Sequence, residues 1–161
     1  MQGLLLRDIE EHDLEHIFED QRDPAARQMA AFGAADPHDR AAFDAKFVDI
    51  LADPSIVTRT IELEGAFAGY LISFEMKGVR EVGYWITRAV WGRGVATAGL
   101  RIFLRELTQR PLHARAAADN AGSIRVLEKC GFQVLRHERG FAKGRGEEID
   151  EVLLVLPPSR G

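Results

Sequence analysis

The four residues Trp91-Gly92-Arg93-Gly94 separate a strand-like run from a helical pattern and have the chemistry of an anion site. Val82 to Thr87 is β-branched and aromatic, as in a buried strand. From Val95 onward, apolar residues recur at helical spacing. The first N–H groups of a helix have no partner within it, and the helix dipole adds partial positive charge there. The order strand, glycine turn, helix therefore predicts a site for a diphosphate.

The glycines make this site accessible to a ligand. Gly92 and Gly94 present no side chain to an approaching phosphate, and Ala96 keeps the next turn small. The stretch is not a P-loop, because G-x-x-x-x-G-K-[ST] is absent, and its glycines do not fit the dinucleotide pattern G-x-G-x-x-G. The alternative is that the glycines only form a tight strand–helix turn, since short glycine motifs often occur without a ligand.

Composition and charge narrow the function classes. The chain has 161 residues, which fits one domain spanning 1–161. A net charge of −4 does not indicate a nucleic-acid surface and is compatible with a cationic amine substrate. The single cysteine, Cys130, excludes an intrachain disulfide and fits a reducing cytoplasm. We expect no membrane span, no signal peptide and no metal, and we interpret His12 and His16, spaced i,i+4, as surface residues.

Strands and helices follow one another in an order that brings two strands together in parallel. Residues 24–36 are predicted as a short helix or loop, and 142–148 as a charged hairpin loop. The three strands between 56 and 87 form an antiparallel meander, and the crossover through the next helix makes the fourth and fifth strands parallel. The predicted strands are 4–9, 56–63, 66–74, 79–87, 112–117, 134–141 and 149–156; the predicted helices begin at Asp8 and span 36–53, 94–109 and 120–131.

Two motifs in this strand context resemble one superfamily. Trp-Gly-Arg-Gly-Val-Ala at 91–96 opens a helix, and Asn120-x-x-Ser123 with Leu-Glu-Lys-Cys-Gly-Phe at 127–132 follows the next predicted strand. Together they resemble the GNAT superfamily of acetyl-CoA-dependent N-acetyltransferases. They are most similar to the branch that acetylates the N-terminal amines of ribosomal proteins. The resemblance covers residues 3–156.

The resemblance implies a fold and a cofactor. The family fold is of the α+β (α/β) class, with a mixed, mostly antiparallel seven-stranded sheet, helices on both faces, and a splayed parallel pair of central strands. Acetyl-CoA lies as co-substrate between the splayed strands, and its pantetheine bonds to strand backbone, here that of Trp85, Ile86 and Thr87. Asn120 and Ser123 match positions near the pantetheine and the thioester. The implied diphosphate donors are the N–H groups of Gly92, Arg93, Gly94, Val95, Ala96 and Thr97.

The chain departs from the family pattern near both motifs. Trp91 and Ala96 occupy the first and last slots of the Q/R-x-x-G-x-G/A pattern, as is common in the branch named above. Many members carry, at the position of Leu127, a tyrosine that protonates the departing thiolate. Another group or solvent must supply that proton here, and Ser123 and then Tyr84 are the candidate residues.

A base is also needed, because an amine attacks a thioester only when it is neutral. Glu81, at the start of the central strand, is the predicted base, and Glu75 and His113 are alternatives. Each is otherwise a strand-end charge or a hydrogen-bonded histidine. The backbone N–H near Ile86 is expected to stabilise the oxyanion. Direct attack needs no enzyme nucleophile, and we interpret Cys130 as a small core residue.

Two functions remain open from the sequence. One is an N-acetyltransferase that acts on a primary amine of a peptide N-terminus or a small molecule. The other is a non-catalytic acetyl-CoA-binding sensor or complex subunit, which Leu127 keeps open. The Asn120 and Ser123 pair and Glu81 favour the enzyme, which we expect to be a cytoplasmic monomer or homodimer. The segments expected to shape the acceptor site are 24–40, the 77–80 turn and the 142–148 loop.

Overall fold

The computed structural model describes residues 1–30, 36–143 and 145–158. A 3-10 turn at Arg88–Val90 lies between the fourth strand and the fourth helix. In chain order the elements are β1 (Leu4–Arg7), α1 (Glu11–Gln21), α2 (Pro24–Ala30), α3 (Arg40–Ala52), β2 (Val57–Leu63), β3 (Ala66–Met76), β4 (Val79–Ile86), α4 (Val95–Glu106), β5 (Leu112–Ala117), α5 (Ala121–Lys129), β6 (Gln133–Ala142) and β7 (Glu147–Leu156).

The strands form one mixed sheet of seven strands in the order β1-β2-β3-β4-β5-β7-β6. Neighbouring strands are antiparallel except β4 and β5, which are parallel. Within the described residues, the ladder between β4 and β5 pairs Glu81 with His113 and no other residues. The two strands therefore part towards their carboxyl ends and leave a gap, which we call the V. The predicted meander, parallel crossover and splayed central pair are confirmed.

Helices cover both faces of the sheet, as predicted. On one face, α4 and α5 pack around Leu100 and Phe103, which are fully buried. On the other face, α1 and α3 contribute Phe18, Phe43 and Phe47 to a second apolar cluster, and α2 packs on β5. We call these the α4 face and the α1 face.

Alternation along β4 divides its side chains between the two faces. Tyr70 of β3 packs in the α1-face cluster and pairs with Trp85, so Trp85 and Glu81 lie on the α1 face. Tyr84 and Ile86 pack against the α4-face core. β4 thus supplies alternate side chains to the α1 face and to the α4 face.

Local capping explains where the helices begin. Glu10 is extended and forms a capping box with Asp13, so α1 begins at Glu11 and not at Asp8. The Asp39 side chain accepts the Ala42 N–H at 3.0 Å, so the helix predicted at 36–53 begins at Arg40. The helix predicted to reach 109 ends at Glu106, because Leu107 is extended.

The last hairpin is longer and tighter than the sequence pattern predicts. The ladder between β6 and β7 continues to the pair Ala142 and Glu147, so β7 begins before Ile149. The predicted loop at 142–148 is therefore a short turn. In the segment predicted as helix or loop, Pro24–Ala30 is helical, and 31–35 lie outside the described residues. No helix in the described part of the chain is both long and apolar enough to cross a membrane.

Candidate active site

The start of α4 offers backbone donors at the open end of the V. The Ala98 N–H donates to the Gly94 carbonyl at 3.1 Å, which begins the helical ladder. The N–H groups of Val95, Ala96 and Thr97 therefore have no acceptor within the helix. Gly94, as the N-cap, supplies no side-chain cap. The arrangement fits an anionic ligand, because several N–H dipoles converge at the positive end of the helix.

Two glycines shape the turn that leads into these donors. Gly92 and Gly94 have φ angles of 77° and 78°, in the left-handed region that residues with a Cβ rarely adopt. Arg93 lies exposed between them. The glycines are therefore required by the backbone path of the turn and also leave the approach to the helix start open. The positive φ angles account for the tight turn, and the diphosphate site stays a prediction.

The backbone of β4 faces the V at alternate residues. The Thr87 N–H donates to the Ala68 carbonyl of β3 at 2.9 Å. Hydrogen-bonded pairs alternate along an antiparallel ladder, so the backbone groups of Trp85 also point to β3. Those of Tyr84 and Ile86 point to β5 and into the V. Of the three strand residues predicted to bind pantetheine, Ile86 alone turns its backbone to the V, and Tyr84 joins it.

Trp91 covers part of this strand edge. Its indole N–H donates to the Ile86 carbonyl at 2.8 Å, and the side chain is 40% exposed. A pantetheine amide that bonds to the same carbonyl would have to replace the indole. Trp91, which occupies the first slot of the family pattern, therefore sits where a ligand would enter.

A hydrogen bond joins the two sides of the V on the α4 face. The Tyr84 hydroxyl and Ser123 Oγ are 2.9 Å apart. Asn120 caps α5 by accepting the Ser123 N–H at 3.1 Å, which fixes the first turn of that helix. Burial raises the pKa of Tyr84, so its phenol stays protonated at neutral pH. The two candidate acids predicted from the sequence are thus in direct contact.

Two residues of the second sequence motif, Leu127 and Cys130, pack in or against the α4-face core. Leu127 is buried in the α4-face core. Cys130 is half-buried, and its Sγ lies 3.8 Å from the Thr97 carbonyl. Burial raises the pKa of the Cys130 thiol, which keeps it protonated and unreactive at neutral pH. The placement agrees with the predicted packing role.

Glu81 lies on the α1 face at the closed end of the V. The residue is 5% exposed, and its Oε1 lies 3.3 Å from Nε of Arg115 on β5. His113 is its partner in the parallel ladder, and the buried Nδ1 of that histidine has no hydrogen-bond partner in the described part of the chain. Glu75 is exposed beside Arg80 near the β3–β4 turn, which separates it from the V. The structure therefore brings together two of the three candidate bases.

The open end of the V is bordered on the α1 face by acidic and aromatic side chains. The Thr87 hydroxyl donates to the Asp20 carboxylate of α1 at 2.7 Å. Burial raises the pKa of Asp20 and raises that of nearby Tyr70 to about 12. The α1 face thus has a carboxylate and a phenol near the carboxyl end of β4.

Arg145 connects three segments of the chain near the carboxyl end of β5. Its guanidinium donates to both carboxylate oxygens of Asp119 at 2.7 and 2.8 Å, and to the Gln28 carbonyl of α2. The β6–β7 turn, α2 and the β5–α5 connection are therefore joined at one side chain, which brings together parts of the segments 24–40 and 142–148 that are predicted to shape the acceptor site. The 77–80 turn lies at the amino end of β4, away from the open end of the V.

Arg115 and Asp20 contact the candidate site residues Glu81 and Thr87 but are not predicted from the sequence. A signal for Arg115 exists, because a charged residue in the otherwise small, apolar run Ala114–Ala117 is unusual in a buried strand. Asp20 gave no such signal, since acidic residues are common on exposed helices. No group of three or more potential metal ligands occurs in the ranges that the structure describes.

Comparison with known proteins identifies the family of this chain. The acetyltransferase (GNAT) domain model matches residues 3–133, which is most of the chain. The chain belongs to the GNAT acetyltransferase family. The resemblance seen in the two sequence motifs is thereby confirmed at the level of the family.

The curated relatives of this GNAT protein match only part of their own length. The probable N-acetyltransferase YjcK of Bacillus subtilis is 33% identical over 86 residues, which is 48% of this chain and 45% of the relative. The uncharacterized N-acetyltransferase p20 of Bacillus licheniformis is 28% identical over 105 residues, covering 63% and 58%. The chain thus spans about half the length of these relatives.

Solved structures match the GNAT fold over nearly the whole chain. RimL, a ribosomal L7/L12 alpha-N-protein acetyltransferase solved with coenzyme A, superposes with a TM-score of 0.82 at 13% identity, covering 98% and 96% of the two chains. Spermidine N-acetyltransferase from Vibrio cholerae, solved with CoA and spermine, gives 0.79 at 17% identity and 97% of each chain. A putative phosphinothricin N-acetyltransferase gives 0.74 at 26% identity, covering 98% and 99%. These similar scores do not separate the ribosomal-protein branch from the others.

Proposed function

We propose that this protein transfers an acetyl group from acetyl-CoA to a primary amine by direct attack. The observation that carries the proposal is the meeting of the V with the open N–H groups of α4. In a GNAT domain with both features, the pantetheine would lie between the two strands and the diphosphate would bind at the start of α4. The solved neighbours RimL and the spermidine acetyltransferase, which were crystallised with CoA, support the choice of cofactor.

The cofactor would lie along the β4 edge of the V. The diphosphate would accept hydrogen bonds from residues 92–97, and the pantetheine would bond to the Ile86 backbone, with Asn120 and Ser123 on the other side. The N–H of Ile86 or Tyr84 would face the oxyanion as the thioester carbonyl becomes tetrahedral. CoA supplies the activated acetyl group, and the chain supplies its orientation.

In this proposal, groups on opposite faces of the sheet carry out the two proton transfers. Glu81 takes a proton from the acceptor ammonium, directly or through water, and the neutral nitrogen then attacks the thioester carbon. The C–S bond breaks when the tetrahedral intermediate collapses. Ser123, backed by the Tyr84 phenol, gives a proton to the departing thiolate, and the second amine proton leaves to solvent.

The acceptor class is a primary amine, on a peptide N-terminus or on a small molecule. Asp20 at the open end and Glu81 at the closed end of the V give the α1 face two carboxylates that attract a cation. The neighbours named above act on a ribosomal protein and on spermidine, and both acceptors are amines. A reducing cytoplasm, consistent with the lone Cys130, remains our predicted location.

The experiment is an acetyl-CoA turnover assay across N-terminal peptides, polyamines and small primary amines, with free CoA thiol as the readout. Each acceptor is paired with its N-acetylated form as the control, and acetyl-CoA alone gives the hydrolysis rate. We expect thiol release above that rate for at least one free amine. CoA binding without release on any acceptor would favour the non-catalytic sensor or subunit. Light scattering of the same sample distinguishes a monomer from a homodimer.

A further inference from the structure

Arg115 contacts three glutamates that come from three different strands. Its Nε lies 3.3 Å from Glu81 of β4, and its Nη1 lies 2.8 Å from Glu138 of β6 and 3.1 Å from Glu151 of β7. All four side chains lie on the α1 face, and Arg115 connects Glu81 at the closed end of the V to Glu151, which pairs with Ala117 at the carboxyl end of β5. One guanidinium therefore connects the candidate base to a pair of carboxylates on the far side of β5.

The contact with Glu81 differs in kind from the other two. Glu138 and Glu151 accept hydrogen bonds from Nη1. Glu81 forms an ion pair with Nε, and no hydrogen bond from the described residues reaches its carboxylate oxygens. The Glu81 carboxylate is thus held by charge while its lone pairs remain available to accept a proton.

The groups around Glu81 leave the cluster with excess negative charge. Burial opposes the charge on Arg115, but the hydrogen bond of Glu138 and the carboxylates of Glu81 and Glu151 raise its pKa overall. Burial and the proximity of Glu138 raise the pKa of Glu151. Other charged or titratable groups on elements packed here include His113 of β5, Arg136 of β6, which pairs with Glu138, and Arg27 of α2.

We propose that Arg115 is a positioning residue that holds the Glu81 carboxylate in place at the V, and that Glu138 and Glu151 limit how strongly it does so. An arginine that served Glu81 alone would stabilise the carboxylate and weaken it as a base. Because Glu138 and Glu151 share the guanidinium, its attraction for Glu81 is weaker than in a one-to-one pair. The inference rests on the proposed acetyltransferase function and on Glu81 as its base.

The test is the pH dependence of kcat at saturating acetyl-CoA and acceptor, which reports groups in the enzyme–substrate complex. Arg115→Gln removes the cation beside Glu81, so the acidic limb should move to higher pH by about one pH unit. Glu138→Gln frees the guanidinium and removes a negative charge, so the limb should move to lower pH. Arg115→Lys should restore part of the first shift. A purely structural role would lower kcat at every pH and leave the limb in place.

Arg139→Gln is the matched control, because Arg139 lies on β6 with Asp150 at 3.1 Å and is 60% exposed. It should leave the pH profile unchanged. If Arg115→Gln does not fold, as judged by circular dichroism, Glu138→Gln decides alone, since that side chain is 26% exposed. An unmoved limb in a folded variant overturns the inference. Glu81→Gln separates the two hypotheses: full turnover in that variant rejects Glu81 as the base, whereas lost turnover with unmoved limbs in the other variants rejects only the role of Arg115.

Discussion

The hydrogen bond between Tyr84 and Ser123 offers a replacement for the acid that the family commonly places at position 127. The phenol comes from β4 and the hydroxyl from α5, so the pair spans the V. Ser123 is able to donate to a sulfur while it accepts from the phenol, which remains protonated because burial raises its pKa. The proton source would therefore be a pair of hydroxyls, with the phenol on the strand and the serine on the helix.

Removing either hydroxyl should slow the chemical step. We expect Ser123→Ala and Tyr84→Phe each to lower kcat by about 10–100-fold, the lower part of the range for acid catalysis. The KM for acetyl-CoA should change little. The double variant should be no slower than Ser123→Ala, because a relay is lost once one member is gone. Full kcat in both single variants would assign the proton to solvent.

Glu81 should matter for turnover and not for cofactor binding. Glu81→Gln keeps the side-chain shape and removes the base, so kcat should fall by about 10²–10⁴-fold. Calorimetry should show the same CoA affinity as the unaltered protein. Glu75→Gln is the control, because Glu75 is exposed near the β3–β4 turn. Turnover within about twofold of the unaltered protein would remove Glu81 from this role.

The two helices that flank the candidate site are α4 and α1. α4 acts through its first turn, where Gly94 lets the chain turn sharply and leaves the N–H groups uncovered. α1 is held to the sheet by Asp13, which is fully buried and accepts two hydrogen bonds from Arg7 and one from Thr60. Each element therefore depends on a residue at or near its start.

Gly94→Ala should weaken CoA binding by more than its effect on stability explains. A Cβ at a φ of 78° costs about 1–2 kcal/mol wherever it occurs. Gly65→Ala is the matched control, since Gly65 has a φ of 81° with open space around it, in the β2–β3 turn. Both variants should lose similar unfolding free energy in denaturant. Only Gly94→Ala should weaken CoA binding, by about tenfold or 1.4 kcal/mol in calorimetry. Equal CoA affinities of the two variants would argue against diphosphate binding at the start of α4.

Asp13 should make the free energy of unfolding depend on pH in the acidic range. Burial favours its neutral form, but the hydrogen bonds from Arg7, the Glu10 N–H and Thr60 hold the pKa of Asp13 below its ordinary value of 3.8. A lowered pKa stabilises the fold above that value, and the stabilisation is lost as the pH falls through the folded-state pKa. Asp13→Asn should therefore cost about 3–5 kcal/mol of unfolding free energy at neutral pH. Denaturant titrations should show this deficit shrinking below pH 3.8, and a constant deficit would contradict it.

At the scale of the whole molecule, the fold was predictable because each strand carries its own local signal. The β-branched runs and the turns at Glu64-Gly65 and Lys77-Gly78 fixed the meander, and Leu112–Ala117 was predicted with the bounds observed. The start of α4 was predictable from one motif, since a helix start is a local feature.

The α1 face of the V was harder to predict, because its side chains come from strands that are far apart in the sequence. The cluster of Arg115 with Glu81, Glu138 and Glu151 joins four neighbouring strands, and no local pattern contains it. The orientation of the β4 backbone depends on the register with β3, so the sequence alone did not show which of Trp85, Ile86 and Thr87 turns its backbone towards the V.

A structure of the protein with bound CoA tests the central claim most directly. The account predicts the diphosphate within hydrogen-bond distance of N–H groups in residues 92–97, and the pantetheine between β4 and β5. It also predicts that the Trp91 indole leaves the Ile86 carbonyl. CoA bound outside the V, or a diphosphate away from the start of α4, would contradict the account.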